Sequence, residues 1–126
     1  MRKIHLDTNY LIEIHTAESK SRSVLKSLLK QEAEFAISAL TWHEFLCGPV
    51  LEKHKDNIID LVENRIIPLN SEMAELGAEL FNFSGRRKGT KADCLIAATA
   101  ICINSEFLTW NTNDFKKFTS LGLKLI

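Results

Sequence analysis

Apolar and polar positions change period repeatedly along this chain, and each change marks an element. Lys3 to Leu6 is a short apolar-rich run that stops at Asp7. It gives way to TNYLIEIH, whose Tyr10, Leu11 and Ile14 have helical spacing. Val24, Leu25, Leu28 and Leu29 form one face of a second helix, started by Ser19 or Ser21. Glu34 to Ser38 (EFAIS) reads as a second strand, and Leu40 to Gly48 as a helix stopped by Gly48-Pro49. Ile58, Ile59, Leu61 and Val62 outline a further helix running up to Arg65, followed by a very short strand, Ile66-Ile67, before Pro68. Met73, Leu76, Leu80 and Phe83 predict a long helix over Glu72 to Gly85, capped by Asn70 or Ser71. Beyond a basic loop lies Lys91 to Asn104, KADCLIAATAICIN, with ten apolar residues of fourteen. A helix apolar on nearly its whole circumference is normally buried. A strand at Glu106 to Thr109, a polar turn Asn111 to Asp114, a short helix or turn and a closing strand at Leu123 to Ile126 complete the pattern.

Strands alternating with helices predict an α/β domain with a mainly parallel sheet. At 126 residues the chain is expected to be one domain, residues 1–126, without repeat, linker or low-complexity tract. Lys plus Arg and Asp plus Glu number 16 each, so the net charge is zero. That argues against a basic coat protein for nucleic acid. It leaves room for an enzyme that meets phosphates through metal ions, which supply positive charge locally. Cys47, Cys94 and Cys102 are an odd number without metal-ligand spacing in the sequence. Cys94 and Cys102, on the buried helix, read as small apolar fillers in a reducing compartment. The stretch MRKIHLD has no long apolar run and no small-residue cleavage site, so neither signal peptide nor membrane span is read there, and a cytoplasmic location is expected.

Candidate chemistry follows from where the acids fall. In an open parallel sheet, ligands bind beyond the carboxyl ends of the strands, where the strand order reverses. Asp7 ends the first strand, Glu44 lies on the helix after the second, Asp93 opens the buried helix, and Asp114 follows the strand at Glu106. All four therefore belong to one edge of the sheet. Each also has a structural explanation: Asp7 and Asp114 as caps, Asp93 as a first-turn acid on the macrodipole, Glu44 as a surface acid. Helical projection puts Asp93 on the stripe of Ile96, Ala97 and Ala100. Trp42, Phe45 and Leu46 around Glu44 argue against a solvated position for it. Four converging carboxylates raise one another's pKa, and a divalent cation relieves the repulsion. Hard oxygen donors suit Mg2+ or Mn2+. The chemistry such a site supports is metal-assisted phosphodiester hydrolysis. Thr8, Asn9, Thr109 and Asn111 are supporting polar groups for waters or carboxylates, or else turn and capping residues.

LDTNYLI, WHEF, ADCLIAATA and TWNTNDF, in this order, resemble the four acidic motifs of the PIN domain, and more narrowly the VapC-type toxins of toxin–antitoxin pairs. The resemblance runs from residue 4 to about residue 115. It implies a three-layer α/β/α sandwich with a central, mainly parallel β-sheet, and an Mg2+- or Mn2+-dependent ribonuclease. It also implies a homodimer and inhibition by a small antitoxin protein seated in the acidic groove. Carried over by position, Asp7, Glu44, Asp93 and Asp114 become the catalytic acids, Asp7 and Asp93 the metal pair, and Asn111 a helper.

RNA needs cations as well. Arg86, Arg87, Lys88 and Lys91 directly precede the buried helix and are candidates for phosphate contact at the groove mouth, or else a solvated loop. Lys116 and Lys117 are candidates on the other side. Trp42 and Trp110 offer stacking on bases, with core packing the simpler role for both. His43, adjacent to Glu44, is discounted as a base because neighbouring helical residues point about 100° apart. A response-regulator receiver is rejected: Leu6 precedes Asp7, the third strand ends in Ile67-Pro68 without an acid, and no late Lys-Pro exists. A phosphatase with Asp-x-Asp nucleophiles fails at Asn9. Two alternatives stay open, a non-cutting module that binds RNA or protein and a housekeeping RNA-processing nuclease without antitoxin.

Overall fold

The computed structural model describes residues 2–16 and 19–126. Strands β1 (Lys3–Leu6), β2 (Glu34–Ser38), β3 (Ile66–Ile67), β4 (Glu106–Leu108) and β5 (Lys124–Leu125) form one sheet in the order β3-β2-β1-β4-β5. Every neighbouring pair runs parallel. Parallel strands require crossovers, which helices supply. These are α1 (Thr8–Glu13) and α2 (Lys20–Lys30), then α3 (Ala39–Leu46) and α4 (Glu52–Val62), then α5 (Ser71–Phe83) and α6 (Lys91–Cys102). α7 (Thr112–Phe115) and a 3-10 helix (Lys116–Leu121) lead into β5.

Alternation along the strands divides the core in two. Ile4 and Leu6 of β1 join Phe35 and Ile37 of β2 on one face, with Tyr10, Leu11, Leu25, Phe45, Ile58 and Val62 packed over them. Phe107 of β4 turns to the other face and meets Leu80, Ile96, Ala97, Ala100, Phe115 and Phe118. The sheet thus lies between two helical layers, the three-layer α/β/α sandwich that the PIN-domain resemblance implies, and its strands are parallel as the alternating pattern predicts. Each fully buried large side chain contributes roughly 1.5–3 kcal/mol of transfer free energy. Both layers are therefore needed to offset chain entropy.

α6 is buried as its composition predicts: Cys94 and every residue from Ile96 to Ala100 are inaccessible or nearly so. α5 presses closely on it. A Cβ added at Gly77 would stand 2.7 Å from Leu95 Cδ2, so this position on α5 suits a residue without one.

Caps explain where boundaries differ from the sequence reading. Ser38 Oγ accepts from the Thr41 backbone N–H at 2.9 Å and starts α3 at Ala39, one residue early. Asn70 Oδ1 accepts from the Met73 N–H at 2.9 Å, which settles the start of α5 at Ser71. The predicted turn Asn111 to Asp114 is mostly helical, because Thr112–Phe115 forms α7. β4 stops at Leu108, which frees Thr109 for other bonds. Cys94 is buried and Cys102 half-buried, whereas Cys47 is exposed, and all three thiols are free.

His5 sits between Ile4 and Leu6 in β1, fully buried and stacked on Phe107 with ring centroids 5.9 Å apart. Neither ring nitrogen has a hydrogen-bond partner. Burial pushes its pKa down to about 3, so the folded chain holds it neutral. In the unfolded chain the imidazole gains its proton near its ordinary value of 6.5. Below that value the unfolded state binds the extra proton, and stability falls as pH falls until the folded-state pKa is reached. We predict that wild type loses about 1.4 kcal/mol per pH unit relative to His5→Leu between roughly pH 6 and pH 4. Urea unfolding of both proteins across that range checks this, and parallel pH profiles would refute it.

Candidate active site

The sheet order sets β2 on one side of β1 and β4 on the other, so crossovers leave in opposite directions and open a crevice at the carboxyl ends of β1 and β4. Asp7 stands at that point, with its backbone N–H donating to the Leu108 carbonyl at 3.0 Å. It is 5% exposed. A carboxylate taken that far out of water needs donors. Thr109 Oγ1 donates to Oδ2 at 2.6 Å, Asn9 Nδ2 reaches the same oxygen at 3.3 Å, and the Thr8 N–H donates to Oδ1 at 2.9 Å. The last bond makes Asp7 the N-cap of α1. Asp7 is therefore both a cap and part of the crevice wall.

Thr109 ties the two strand ends together. Besides donating to Asp7, its hydroxyl accepts from the Asn111 N–H at 2.9 Å and from Asn9 Nδ2 at 3.3 Å. Asn9 Oδ1 in turn accepts from the Trp110 N–H at 3.3 Å. Thr8 spans to α3, where its hydroxyl donates to Glu44 Oε1 at 2.7 Å. The side chains of Thr8, Asn9 and Thr109 thus form a network around Asp7, which Asn111 joins through its backbone N–H.

Asp7, Thr8, Asn9, Ile12, Glu44, Asp93 and Asn111 line a cleft of about 260 Å³. Three of the four candidate acids meet there. Asp114, exposed on α7, lies outside that lining but close enough for its charge to act on Asp7 and Asp93. Ile12 is a cleft residue that sequence reading missed. Its 57% exposure on the apolar face pattern of α1 becomes visible only in three dimensions. Glu44 corrects an expectation: it is exposed although Trp42 and Phe45 flank it. Those two rings turn into the first core on the other side of α3, which leaves Glu44 on the open side.

The electrostatics are those of uncompensated acids. Burial, first of all, raises the Asp7 pKa; the bonds from Thr109 and Thr8 oppose it, and Glu44 and Asp114 add to it. Asp93, half-buried in the first turn of α6, is pushed up to about 6 by burial and then by Asp7, Glu44 and Asp114. Lys117 acts on it in the opposite sense. Among the described residues no salt bridge reaches any of the four acids. Nor, among them, do three His, Cys, Asp or Glu side chains gather tightly enough to hold one ion. Mg2+ commonly takes only one or two carboxylates and keeps several waters, so the donor pair Asp7 and Asp93 suits such an ion in number and kind.

The basic residues lie elsewhere. Arg86, Arg87 and Lys88 are exposed and outside the cleft lining. Arg86 and Lys91 sit over the Phe81 ring at 5.4 and 5.5 Å, and Lys91 lines a separate apolar groove between α5 and α6. Trp110 stacks on Tyr10 at 5.0 Å and donates to Ser21 Oγ at 2.8 Å, yet stays 42% exposed. Trp42 packs against the first core.

Solved structures share this fold. A chain of the FitAB complex bound to an IR36 DNA fragment is 24% identical, with a TM-score of 0.79, covering 98% of this chain and 93% of that one. A chain of VapBC2 from Rickettsia felis, bound to a DNA fragment from its promoter, is 23% identical with a TM-score of 0.73, covering 98% and 97%. A chain of a toxin–antitoxin complex from Klebsiella pneumoniae is 24% identical with a TM-score of 0.74, covering 98% and 95%. No curated protein sequence matches the chain. The family model of the PIN domain matches residues 4–121, and with the acidic cleft at the sheet's switch point the chain belongs to the PIN domain family.

Proposed function

We propose that this chain is a divalent-metal-dependent endoribonuclease that hydrolyses RNA phosphodiester bonds at Asp7, Glu44, Asp93 and Asp114. The observation that carries this reading is the meeting of Asp7, Glu44 and Asp93 in one cleft with no cation paired to them among the described residues. Repulsion that is left unbalanced by the chain's own side chains suits a site completed by an ion. Asp7 and Asp93 would hold Mg2+ or Mn2+, which when bound supplies Lewis-acid stabilisation of charge at phosphorus and acidifies water.

The chain's own residues supply orientation. Thr109, Asn9 and the Thr8 N–H fix both oxygens of Asp7, so its direction is set before any ligand arrives. Thr8 holds Glu44 at the open rim of the cleft. Asp114 contributes field to Asp7 and Asp93 from α7. Lys117, whose charge is felt at Asp93, and Lys116 beside it are suited to meeting an incoming phosphate. Arg86, Arg87, Lys88 and Lys91 would extend the path for RNA beyond the cleft.

The same reading makes the chain the toxin of a VapBC-type pair, held inactive by a small antitoxin protein and acting in the cytoplasm as a homodimer. Its support is that chains of this fold occur in FitAB and VapBC2 bound to DNA and in a toxin–antitoxin complex. Among the described residues no helix is long and apolar enough to cross a membrane.

Purified chain free of antitoxin is expected to cleave a mixed pool of structured RNAs with Mg2+ or Mn2+ and to stop when EDTA is added. Asp93→Asn should abolish cleavage, and an active, folded Asp93→Asn protein would sink the site assignment. The same variant tests the electrostatics. Above about pH 6 the native state carries an Asp93 charge it disfavours, whereas the unfolded chain ionises freely above its ordinary 3.8. Relief of that cost should make Asp93→Asn more stable by on the order of 2–3 kcal/mol at pH 8. The gain should shrink as pH falls through 6 and vanish below about 4, where both states are protonated. Replacing Arg86, Arg87 and Lys88 together by Ala should weaken RNA binding and flatten its salt dependence. An unchanged salt slope would return the loop to ordinary surface.

A further inference from the structure

α3 carries a second group of potential ligands beside the cleft. His43 and Cys47 are both exposed and lie four residues apart on one helical face. Cys47 is the C-cap of α3 with right-handed helical φ and ψ, and its N–H donates to the His43 carbonyl at 3.0 Å. The helical backbone therefore brings the two residues one turn apart on the same face. His43 Nε2 and Cys47 Sγ stand 3.6 Å apart.

That distance has a chemical meaning beyond a weak thiol–imidazole hydrogen bond. Zinc-class ions bind thiolate sulfur at about 2.3 Å and imidazole nitrogen at about 2.0–2.1 Å. A triangle with those two sides and the observed 3.6 Å base has an apex angle of about 110°, the tetrahedral value. The pair already has the bite of a tetrahedral chelate. Sulfur and nitrogen donors select borderline-soft ions and disfavour Mg2+, which prefers oxygen. We propose that His43 and Cys47 form a bidentate surface site for a zinc-class divalent ion. His43 binds as the neutral imidazole through Nε2 and keeps its proton on Nδ1. Cys47 binds as thiolate and releases its proton to solvent. Water fills the remaining two positions, since no third His, Cys, Asp or Glu is grouped with the pair among the described residues. Glu44, next along the helix, lines the cleft instead and belongs to the oxygen-donor set.

Titration of the reduced, metal-free full chain with Co2+ tests this directly. A thiolate ligand gives a near-ultraviolet charge-transfer band that carboxylates cannot produce. With excess Mg2+ present to fill the oxygen-donor cleft, Co2+ should develop the band to saturation at one site, and Zn2+ should displace it. Cys47→Ser should remove it, although Cys94 and Cys102 remain. His43→Ala should raise the Co2+ concentration needed by more than about tenfold, through loss of one of the two ligands. Asp93→Asn should leave the titration unchanged, which separates this site from the acidic cleft and from the nuclease reading. A folded wild-type chain without the band, a band surviving in Cys47→Ser, or an unchanged midpoint in His43→Ala would each overturn the chelate.

Discussion

The functional half of this molecule depends on one constraint: a carboxylate buried where two parallel strands end. Asp7 follows β1 without a loop to carry it into water, and its N–H is held by the Leu108 carbonyl of the neighbouring strand. Once fixed there, its oxygens must find donors, and the sheet topology determines which are available. β4 is the neighbour on the switch-point side, so the residue after β4 is the natural donor, and that residue is Thr109. The remaining donors come from the start of α1, which Asp7 itself caps. Strand pairing, helix initiation and site geometry are thus one set of bonds. A substitution at Asp7 would disturb all three together.

α6 supplies the opposite constraint. Its length is apolar and enclosed between α5 and the sheet, so it cannot shift to let Asp93 escape into solvent. Small residues at Ala97, Ala98 and Ala100 let it lie close to the sheet, and Asp93 is brought into the cleft with Asp7. The macrodipole at the helix N-terminus gives a carboxylate there typically 0.3–1 kcal/mol when exposed, and up to about 2 kcal/mol in partly buried sites. Burial and three neighbouring acids outweigh that, which is why the Asp93 pKa rises rather than falls. The packing that stabilises the fold holds the cleft in an electrostatically unfavourable state, the usual condition of a site awaiting a ligand.

How much of this was legible in the sequence follows from which interactions are local. The strand-Asp-helix junction at Asp7, the buried character of Lys91–Cys102 and the alternating order are written in periodicity, and the structure has them within a residue or two. Caps moved the boundaries because serine and asparagine decide where a helix starts by one hydrogen bond, as Ser38 and Asn70 do here. The edge on which the acids lie was readable from parallel topology alone. The position of Glu44 was not: its apolar neighbours suggested burial, and only the packing of α3 shows Trp42 and Phe45 turned inward while Glu44 stays open. Nor could spacing reveal that Lys91 faces α5 rather than the cleft, because that depends on how α6 is rotated against its neighbours. His5 was silent for a related reason. A histidine between two apolar strand residues looks like an outward position until helices cover both faces of the sheet.

α3 shows how one short helix keeps two donor chemistries apart. His43 and Glu44 are adjacent in sequence, yet successive residues point about 100° apart, so they cannot serve one small ion in common. Glu44 is engaged with Thr8 and shares the cleft with oxygen donors, whereas His43 is engaged with Cys47 one turn further on. On the two proposals made above, hard ions would find oxygen in the cleft, and borderline-soft ions would find nitrogen and sulfur on the outer face. Thr8 adds to that separation, since its hydroxyl holds Glu44 toward α1 and the cleft. The hydrogen bond that ties Glu44 to the acidic cleft therefore works with the helix geometry to keep an oxygen ligand from the proposed chelating pair.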